Sequence, residues 1–268
     1  MAKTDFQPCG VITLTTDFGH KGPFVATMKG VMLSAFADAK IIDLTHETAA
    51  HFPSEAGFWL MRSFRYFPAG TTHVGVVDPG VGTDRNILAL IYEGHAFVAP
   101  DNGLLAPLAD RAGAQVYQVD LDAPSRFGIE SISATFHGRD ILAPVGAALA
   151  SGRLSPEELG AVAENIVPSL IEQPTVSGGR VSGVVVAVDD FGNLMTNISS
   201  EHVNELKNPV VEAGGRRFPL RRTYADVTPG DFLGLINSFD ALELARAEQS
   251  AAEGLRLGRG APVVVREG

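Results

Sequence analysis

Four stretches of the sequence put carboxylates or amides directly after an apolar run. They are Thr15-Thr16-Asp17-Phe18-Gly19, Val77-Asp78-Pro79-Gly80-Val81-Gly82, Pro100-Asp101-Asn102-Gly103 and Val188-Asp189-Asp190-Phe191-Gly192-Asn193. At the carboxyl ends of strands in an open α/β sheet, such residues converge on a ligand. Asp and Asn beside Gly are also ordinary turn formers, so one such loop says little and several in one sheet point to a site. Asp78 and Arg85 stand seven residues apart across a glycine turn. Folded back they form an ion pair, commonplace on a surface; in a site, the arginine holds the carboxylate ionised and aimed at a water or leaving group. His137, within Thr135-Phe136-His137-Gly138-Arg139-Asp140, adds an imidazole able to donate or accept near neutral pH. The glycine beside it lets a ligand approach the backbone.

Other chemistries find little support. Gly80-Val81-Gly82 lacks the third glycine of a dinucleotide loop, because Arg85 stands at that position, and neither GxxxxGK[ST] nor GxSxG occurs. Seven histidines (20, 46, 51, 73, 95, 137 and 202) invite a metal, but His46 and His51 are five apart and no HExxH is present, so no metal is expected. Cys9 is the only cysteine, which excludes an intrachain disulfide and a cysteine-based zinc site and suggests a reducing, cytoplasmic compartment. Lys+Arg 21 against Asp+Glu 31 gives a net charge of −10, which argues against nucleic acid as a partner. No basic-then-apolar leader opens the chain and no apolar run approaches the ~20 residues of a membrane span, so no membrane partner is expected.

The elements that must position these loops follow from periodicity. Strand patterns at Gly10–Thr15, Lys40–Leu44, His73–Val77, Ile87–Ile91 and Ala96–Ala99 alternate with helical patterns at Pro23–Ala37, Ser54–Tyr66 and Ile141–Ala150. Ser54 is a plausible N-cap, and Glu93-Gly94 is a turn between two strands. This predicts an α/β N-terminal domain, residues 1–172, around a central, mostly parallel sheet. Ser155-Pro156-Glu157-Glu158 reads as a helix start with a capping box, and Gln173–Arg180, with Pro and paired Gly, as a linker. Beyond it, strand patterns at Val181–Val188, Val210–Arg221 (turning at Gly214-Gly215), Phe232–Asn237 and Ala261–Arg266 predict a small all-β C-terminal domain, residues 173–268.

Taken in order, eight motifs resemble one family. They are Thr16-Asp17-Phe18-Gly19, Met28-Lys29-Gly30, Asp43-Leu44-Thr45-His46-Glu47, Val77 to Thr83, Pro100 to Gly103, Thr135 to Asp140, Asp189 to Ile198 and Asn237-Ser238. Over roughly residues 10–266 the chain resembles the S-adenosyl-L-methionine (SAM) hydroxide adenosyltransferases, adenosine-forming SAM hydrolases related to halogenating SAM enzymes. The resemblance implies a barrel-like C-terminal domain and a homotrimer with active sites at subunit interfaces. It also implies hydrolysis of SAM to adenosine and L-methionine without a cofactor or metal.

By position, the resemblance assigns Asp78, Arg85 and His137 to the handling of water, where halogenating relatives carry Tyr for the Asp and Tyr-Ser for His137-Gly138. Asp17 matches a carboxylate gripping both ribose hydroxyls and Phe136 a ring packed near the ribose. Asp189, Phe191 and Asn193 match contacts to SAM from the neighbouring C-terminal domain, and Ser238 and the backbone around Ala251 match contacts to adenine. The chain departs from the family at Gly22-Pro23-Phe24, where Asp-Pro-Tyr is usual, and at His51, where Asp is common. Both departures imply altered contacts at the methionine end. The alternative activities are SAM-dependent halogenation and binding of SAM or adenosine without turnover.

Overall fold

The computed structural model describes residues 5–268. Two compact units divide the chain, one ending at Leu170 and the other spanning Ile171–Gly268.

The first unit is a six-stranded sheet with helices on both faces. Its strands are β1 (Val11–Thr16), β2 (Lys40–Thr45), β3 (Thr72–Val76), β4 (Ile87–Tyr92), β5 (His95–Pro100) and β6 (Gln115–Gln118), in the order β2-β1-β3-β5-β4-β6. Strands β2, β1, β3 and β5 run parallel, whereas β4 is antiparallel to both β5 and β6. The sheet is therefore mixed. The reversal comes from the Glu93-Gly94 turn, whose two positive φ values, 48° and 73°, make the tight hairpin that joins β4 to β5.

Side chains alternate between the two faces with period two. Val74, Val76, Ala96 and Val98 pack into one core with Met28 and Met32 of α1 (Phe24–Ala35) and with α4 (Ala143–Ala150). Val77, Phe97 and Ala99 pack into the other with Ala56 and Leu60 of α2 (Pro53–Ser63) and Leu108 of the short α3 (Ala106–Ala109). Helix α4 is small-residue and buried all round, and a Cβ at its Gly146 would lie 2.6 Å from Val74. That close approach is what the glycine permits. Burying each large apolar side chain contributes about 1.5–3 kcal/mol, which makes these two layers the unit's main stabilisation.

Three local expectations give way to tertiary pairing. Ser54 does not cap α2; Phe52 holds that position and the Ser54 hydroxyl accepts from Leu170 N–H at 3.3 Å. The Ser155 capping box forms, with Ser155 N–H donating to Glu158 Oε2 at 2.8 Å, but only one 3₁₀ turn (Pro156–Glu158) follows. The chain beyond it pairs with the free edge of β6 instead, through Asp120 N–H to Leu159 O, Gln118 N–H to Ala161 O and Ala163 N–H to Val116 O. Gln173–Arg180 is not a linker but a hairpin, β7 (Thr175–Ser177) against β8 (Arg180–Val188), turning on Gly178 and Gly179 at φ 57° and 71°.

The second unit is an antiparallel sheet rolled into a nearly closed barrel. Strands β8, β9 (Leu194–Thr196), β10 (Val210–Ala213), β11 (Arg216–Pro219), β12 (Phe232–Ile236), β13 (Leu242–Arg246) and β14 (Pro262–Arg266) follow the order β11-β10-β14-β8-β9-β13-β12. A bridge between Leu220 and Gly234, with Arg221 N–H donating to Gly234 O at 2.8 Å, brings the end of β11 against β12. Val185, Leu194, Val211, Leu242, Leu244 and Val263 fill its interior. Two short helices, α5 (Ser200–Val203) and α6 (Ala251–Leu255), belong to this unit.

One polar chain crosses the first unit's core. Thr13 Oγ1 lies 2.7 Å from His73 Nδ1, and His73 Nε2 lies 3.1 Å from His95 Nδ1, with the His73 ring stacked on Phe97. Burial, aided by the neighbouring imidazole, holds the His73 pKa down to about 3, and burial lowers that of His95. Both are therefore neutral in the fold at neutral pH. As pH drops below the ordinary value of 6.5 the unfolded chain takes up their protons first, so stability present above 6.5 is lost toward pH 3. Each histidine contributes a slope of up to about 1.4 kcal/mol per pH unit. Urea unfolding at pH 7 and pH 5 should show His73→Leu losing less stability on acidification than the parent; equal losses would contradict the account.

Candidate active site

Four segments of the first unit meet at one end of the sheet. They are the β1 loop with Asp17 and Phe18, the β3 loop with Asp78 and Val81, Ala50-His51 before α2, and Thr135-Phe136-His137-Gly138 before α4. Together with Phe24 and Val76 they line a cavity of about 380 Å³. Asp17, Asp78, Phe136 and His137 thus share one pocket, with Arg85 directly behind.

The loops are held by backbone geometry that glycine makes available. At Gly82, φ is 82° and an added Cβ would stand 2.3 Å from Ala134 O, so the β3 loop abuts the His137 segment backbone to backbone. Asn102 Nδ2 donates to Val77 O at 2.8 Å, and Asp101 Oδ1 accepts from Val167 N–H at 2.8 Å. The Pro100-Asp101-Asn102-Gly103 loop therefore staples its neighbours and does not line the cavity. Asp140 Oδ2 accepts from Ser133 N–H at 2.8 Å, which secures the His137 segment from the other side. Burial alone would raise the Asp140 carboxyl, but hydrogen bonds from Arg139 and Ser133 hold it down to about 2.

Arg85 organises the polar wall. Its Nε donates to Asp78 Oδ1 at 2.6 Å and its Nη2 donates to Asp78 Oδ2, a two-pronged ion pair with both side chains less than one-tenth exposed. The same Nη2 lies 3.0 Å from His137 Nδ1. A guanidinium has donors only, so Nδ1 must accept and the imidazole is neutral with its proton on Nε2. Burial and then the Arg85 charge push the His137 pKa below the ordinary value, in agreement.

The opposite wall is aromatic. Phe136 meets Phe18 at 5.8 Å and Phe24 at 5.5 Å between ring centroids, both edge-on, and Arg139 lies over the Phe136 ring. Phe18 and Phe24 were not among the residues assigned to the site from sequence. The signal for Phe24 is its neighbour: a Cβ on Gly22 would stand 2.8 Å from the Phe24 ring. Gly22 therefore makes room for the ring. Asp17 Oδ2 accepts from His51 N–H at 2.9 Å, and its Oδ1 has no protein donor among the described residues.

The remaining candidates lie on the second unit. Asp189 Oδ1 accepts from Phe191 N–H and Asn193 N–H at 3.0 and 2.8 Å, and its Oδ2 from Asn193 Nδ2 at 3.0 Å. The loop is thus tied on itself, presenting Phe191 at 80% exposure above a buried Asn193. Gly192 O accepts from Ala252 N–H at 2.9 Å, which sets Ala251 and the start of α6 against this loop. Ser238 follows Asn237, whose amide donates to Glu243 at 3.1 Å, and Tyr224 donates to the other Glu243 oxygen at 2.6 Å. Glu243, 2% exposed with its pKa raised by burial, was not foreseen; its place in an alternating strand gave no sign of it. Among the described residues no group of three or more His, Cys, Asp or Glu is arranged to hold a metal ion. No described helix is long and apolar enough to cross a membrane.

Fold and site define a two-domain protein, α/β sheet plus antiparallel barrel, with a pocket built on a carboxylate–guanidinium–imidazole set. The chain belongs to the SAM hydroxide adenosyltransferase family, whose N-terminal domain matches residues 12–160 and whose C-terminal domain matches residues 183–264. It is 37% identical over 257 residues to an (R)-S-adenosyl-L-methionine hydrolase of Thermus thermophilus, covering 92% of this chain and 96% of that protein. A fluorinase of Actinopolyspora mzabensis is more distant, 28% identical with 95% and 96% coverage. Among solved structures, an uncharacterized conserved protein from Thermotoga maritima superposes with a TM-score of 0.87 at 32% identity, covering 96% of this chain and all of that one.

Gly82 gives the site a direct test. Gly82→Ala places a side chain in the left-handed region and against Ala134 O, at a cost of about 1–3 kcal/mol. At ~2–4 °C per kcal/mol the melting temperature should drop by several degrees. An unchanged melting temperature would show that the two loops do not abut.

Proposed function

We propose that the protein hydrolyses S-adenosyl-L-methionine to adenosine and L-methionine by attack of water on the ribose C5′. The observation that carries this is that Asp78 and His137 line one pocket with Asp17 while Arg85 bonds to both from behind, in a chain more than one-third identical to a SAM hydrolase. The water oxygen forms a bond to C5′ as the C5′–S bond breaks, and the bonding pair stays on sulfur, leaving the neutral thioether of methionine. A sulfonium is already a good leaving group, so the difficulty is to align a poor nucleophile.

The roles follow from donors and acceptors. Arg85 offers only hydrogens, and His137 accepts from it at Nδ1 and carries its proton on Nε2, so the Asp78 carboxylate is the group that takes the water proton. Arg85 orients that carboxylate and favours hydroxide-like charge beside it, while His137 holds the guanidinium in place. Asp17 accepts from the ribose hydroxyls, and Phe136 packs beside the sugar. A Cβ on Gly138 would lie 3.1 Å from Val76 and 3.3 Å from Met28, so the Tyr-Ser pair of the halogenating relatives would be crowded here. The reaction needs no metal or organic cofactor, and the setting we propose is the cytoplasm.

We further place Asp189, Phe191, Asn193, Ser238 and the backbone around Ala251 on the pocket of a neighbouring subunit of a homotrimer, with SAM between them. Supporting this, residues of the first unit alone line the described cavity, while the second unit carries its own ordered polar and aromatic loop. A head-to-tail interface that closes on itself gives equivalent sites.

Chromatography of protein incubated with SAM should show adenosine; a 5′-halo-adenosine, or binding without turnover, would overturn the reading. Asp78→Ala should cut turnover by about 10²–10⁴-fold with little loss of SAM affinity. Arg85→Lys should be nearly as damaging, because an ammonium cannot form the fork. Near-normal turnover in both would sink the assignment. Mixing Asp78→Ala with Asn193→Ala chains should restore some activity, since some shared pockets inherit neither lesion. A fully active monomer by light scattering would refute the shared site.

A further inference from the structure

The residues beneath Asp17 form a chain that the mechanism above does not use. Lys29 on α1 donates to Asp43 Oδ2 at 2.7 Å, and Asp43 Oδ1 lies 3.0 Å from His46 Nε2, a charge contact outside hydrogen-bond geometry. His46 Nδ1 lies 2.9 Å from Thr16 Oγ1, the residue immediately before Asp17. His46 is 1% exposed and Thr16 fully buried. Carboxylate, imidazole and hydroxyl stand in the order of a nucleophilic triad, but a hydroxyl with no exposed surface can meet no substrate. The chain therefore acts on the backbone it holds.

That backbone is the ligand loop. Thr16 Oγ1 also accepts from Phe18 N–H at 3.2 Å, His46 O accepts from Gly19 N–H at 2.8 Å, and Thr48 Oγ1 donates to Thr16 O at 2.9 Å. His51 N–H donates to Asp17 itself. The register between β1 and β2 shifts after Leu14, so that Thr15 pairs with Thr45 and the two loops leave the sheet side by side. The hydrogen bonds from His46, Thr48 and His51 into this loop all end within three residues of Asp17.

We infer that His46, braced by Asp43 and Lys29, is a positioning residue that sets the Asp17 carboxylate for recognition of a ribose 2′,3′-diol. The inference rests on the proposed role of Asp17. A carboxylate reads two vicinal hydroxyls only when both oxygens are aimed, and a support that loosens by about 1 Å forfeits the geometry while leaving the rest of the pocket intact. Asn at position 46 keeps a polar atom near the place of Nδ1, whereas Leu keeps the volume and removes both contacts.

The test is the ratio of affinities for adenosine and 2′,3′-dideoxyadenosine, measured by titration calorimetry on the intact protein. The parent should favour adenosine by about tenfold or more, the scale of a hydrogen bond to a charged group. His46→Leu should lose most of that preference while its affinity for 2′,3′-dideoxyadenosine stays within about twofold, because only the contact to the two hydroxyls is released. His46→Asn should recover part of the preference, and Asp43→Asn, at a half-exposed position safe for folding, should lose an intermediate share. A general loosening of the fold would weaken both nucleosides equally and keep the ratio, which overturns the proposal. A parent that binds adenosine without discriminating would overturn the role of Asp17 instead.

Discussion

One guanidinium sets the terms for the pocket. Arg85 carries a buried positive charge, and such a charge is tolerable only when its donors are met. Asp78 meets two of them and His137 a third. The arginine therefore dictates that the carboxylate is ionised and that the imidazole is neutral with its proton on Nε2. Removing either partner would leave a buried group unsatisfied, so the three behave as a unit.

The fold around them is arranged to deliver these side chains from two different loops. Parallel strands β1 and β3 end side by side in the middle of the sheet, and their loops open on the same edge. Glycines let the loops come closer than side chains would allow: Gly80 leaves room for the Arg85 stem, whose Cδ would stand 3.2 Å from a Cβ there, and Gly82 admits Ala134 O. On the far side, small-residue α4 packs directly onto Val74, bringing the His137 segment over the sheet edge. The barrel unit carries a separate, self-tied loop at Asp189 that leaves the Phe191 ring exposed.

Much of this was legible in the chain. The β-branched runs ending in Asp17 and Asp78, the glycine turn between Asp78 and Arg85, and the Glu93-Gly94 hairpin are local features whose signals and outcomes coincide. The misses share a cause in pairing partners remote in sequence. The Ser155 box was correct as local chemistry, yet the free edge of β6 captured the following residues; Pro and paired Gly at 173–180 served a hairpin rather than a linker. Strands β6, β9 and β13 are short or carry a polar residue inside, as Glu243 does, so their alternation was hidden. His46 looked like one histidine among seven because nothing in its spacing reveals that it is buried between Asp43 and Thr16.

The protonation state of His137 is the point on which the account stands. Nitrogen-15 NMR of the histidine side chains at pH 7, with His137 assigned by its disappearance in His137→Gln, reports each ring nitrogen separately. The account predicts a neutral ring with Nε2 protonated and Nδ1 bare, and a shift of the Nδ1 signal in Arg85→Lys. An imidazolium at pH 7, or a proton on Nδ1, would mean that Arg85 does not donate to His137 and that the set is not the unit described.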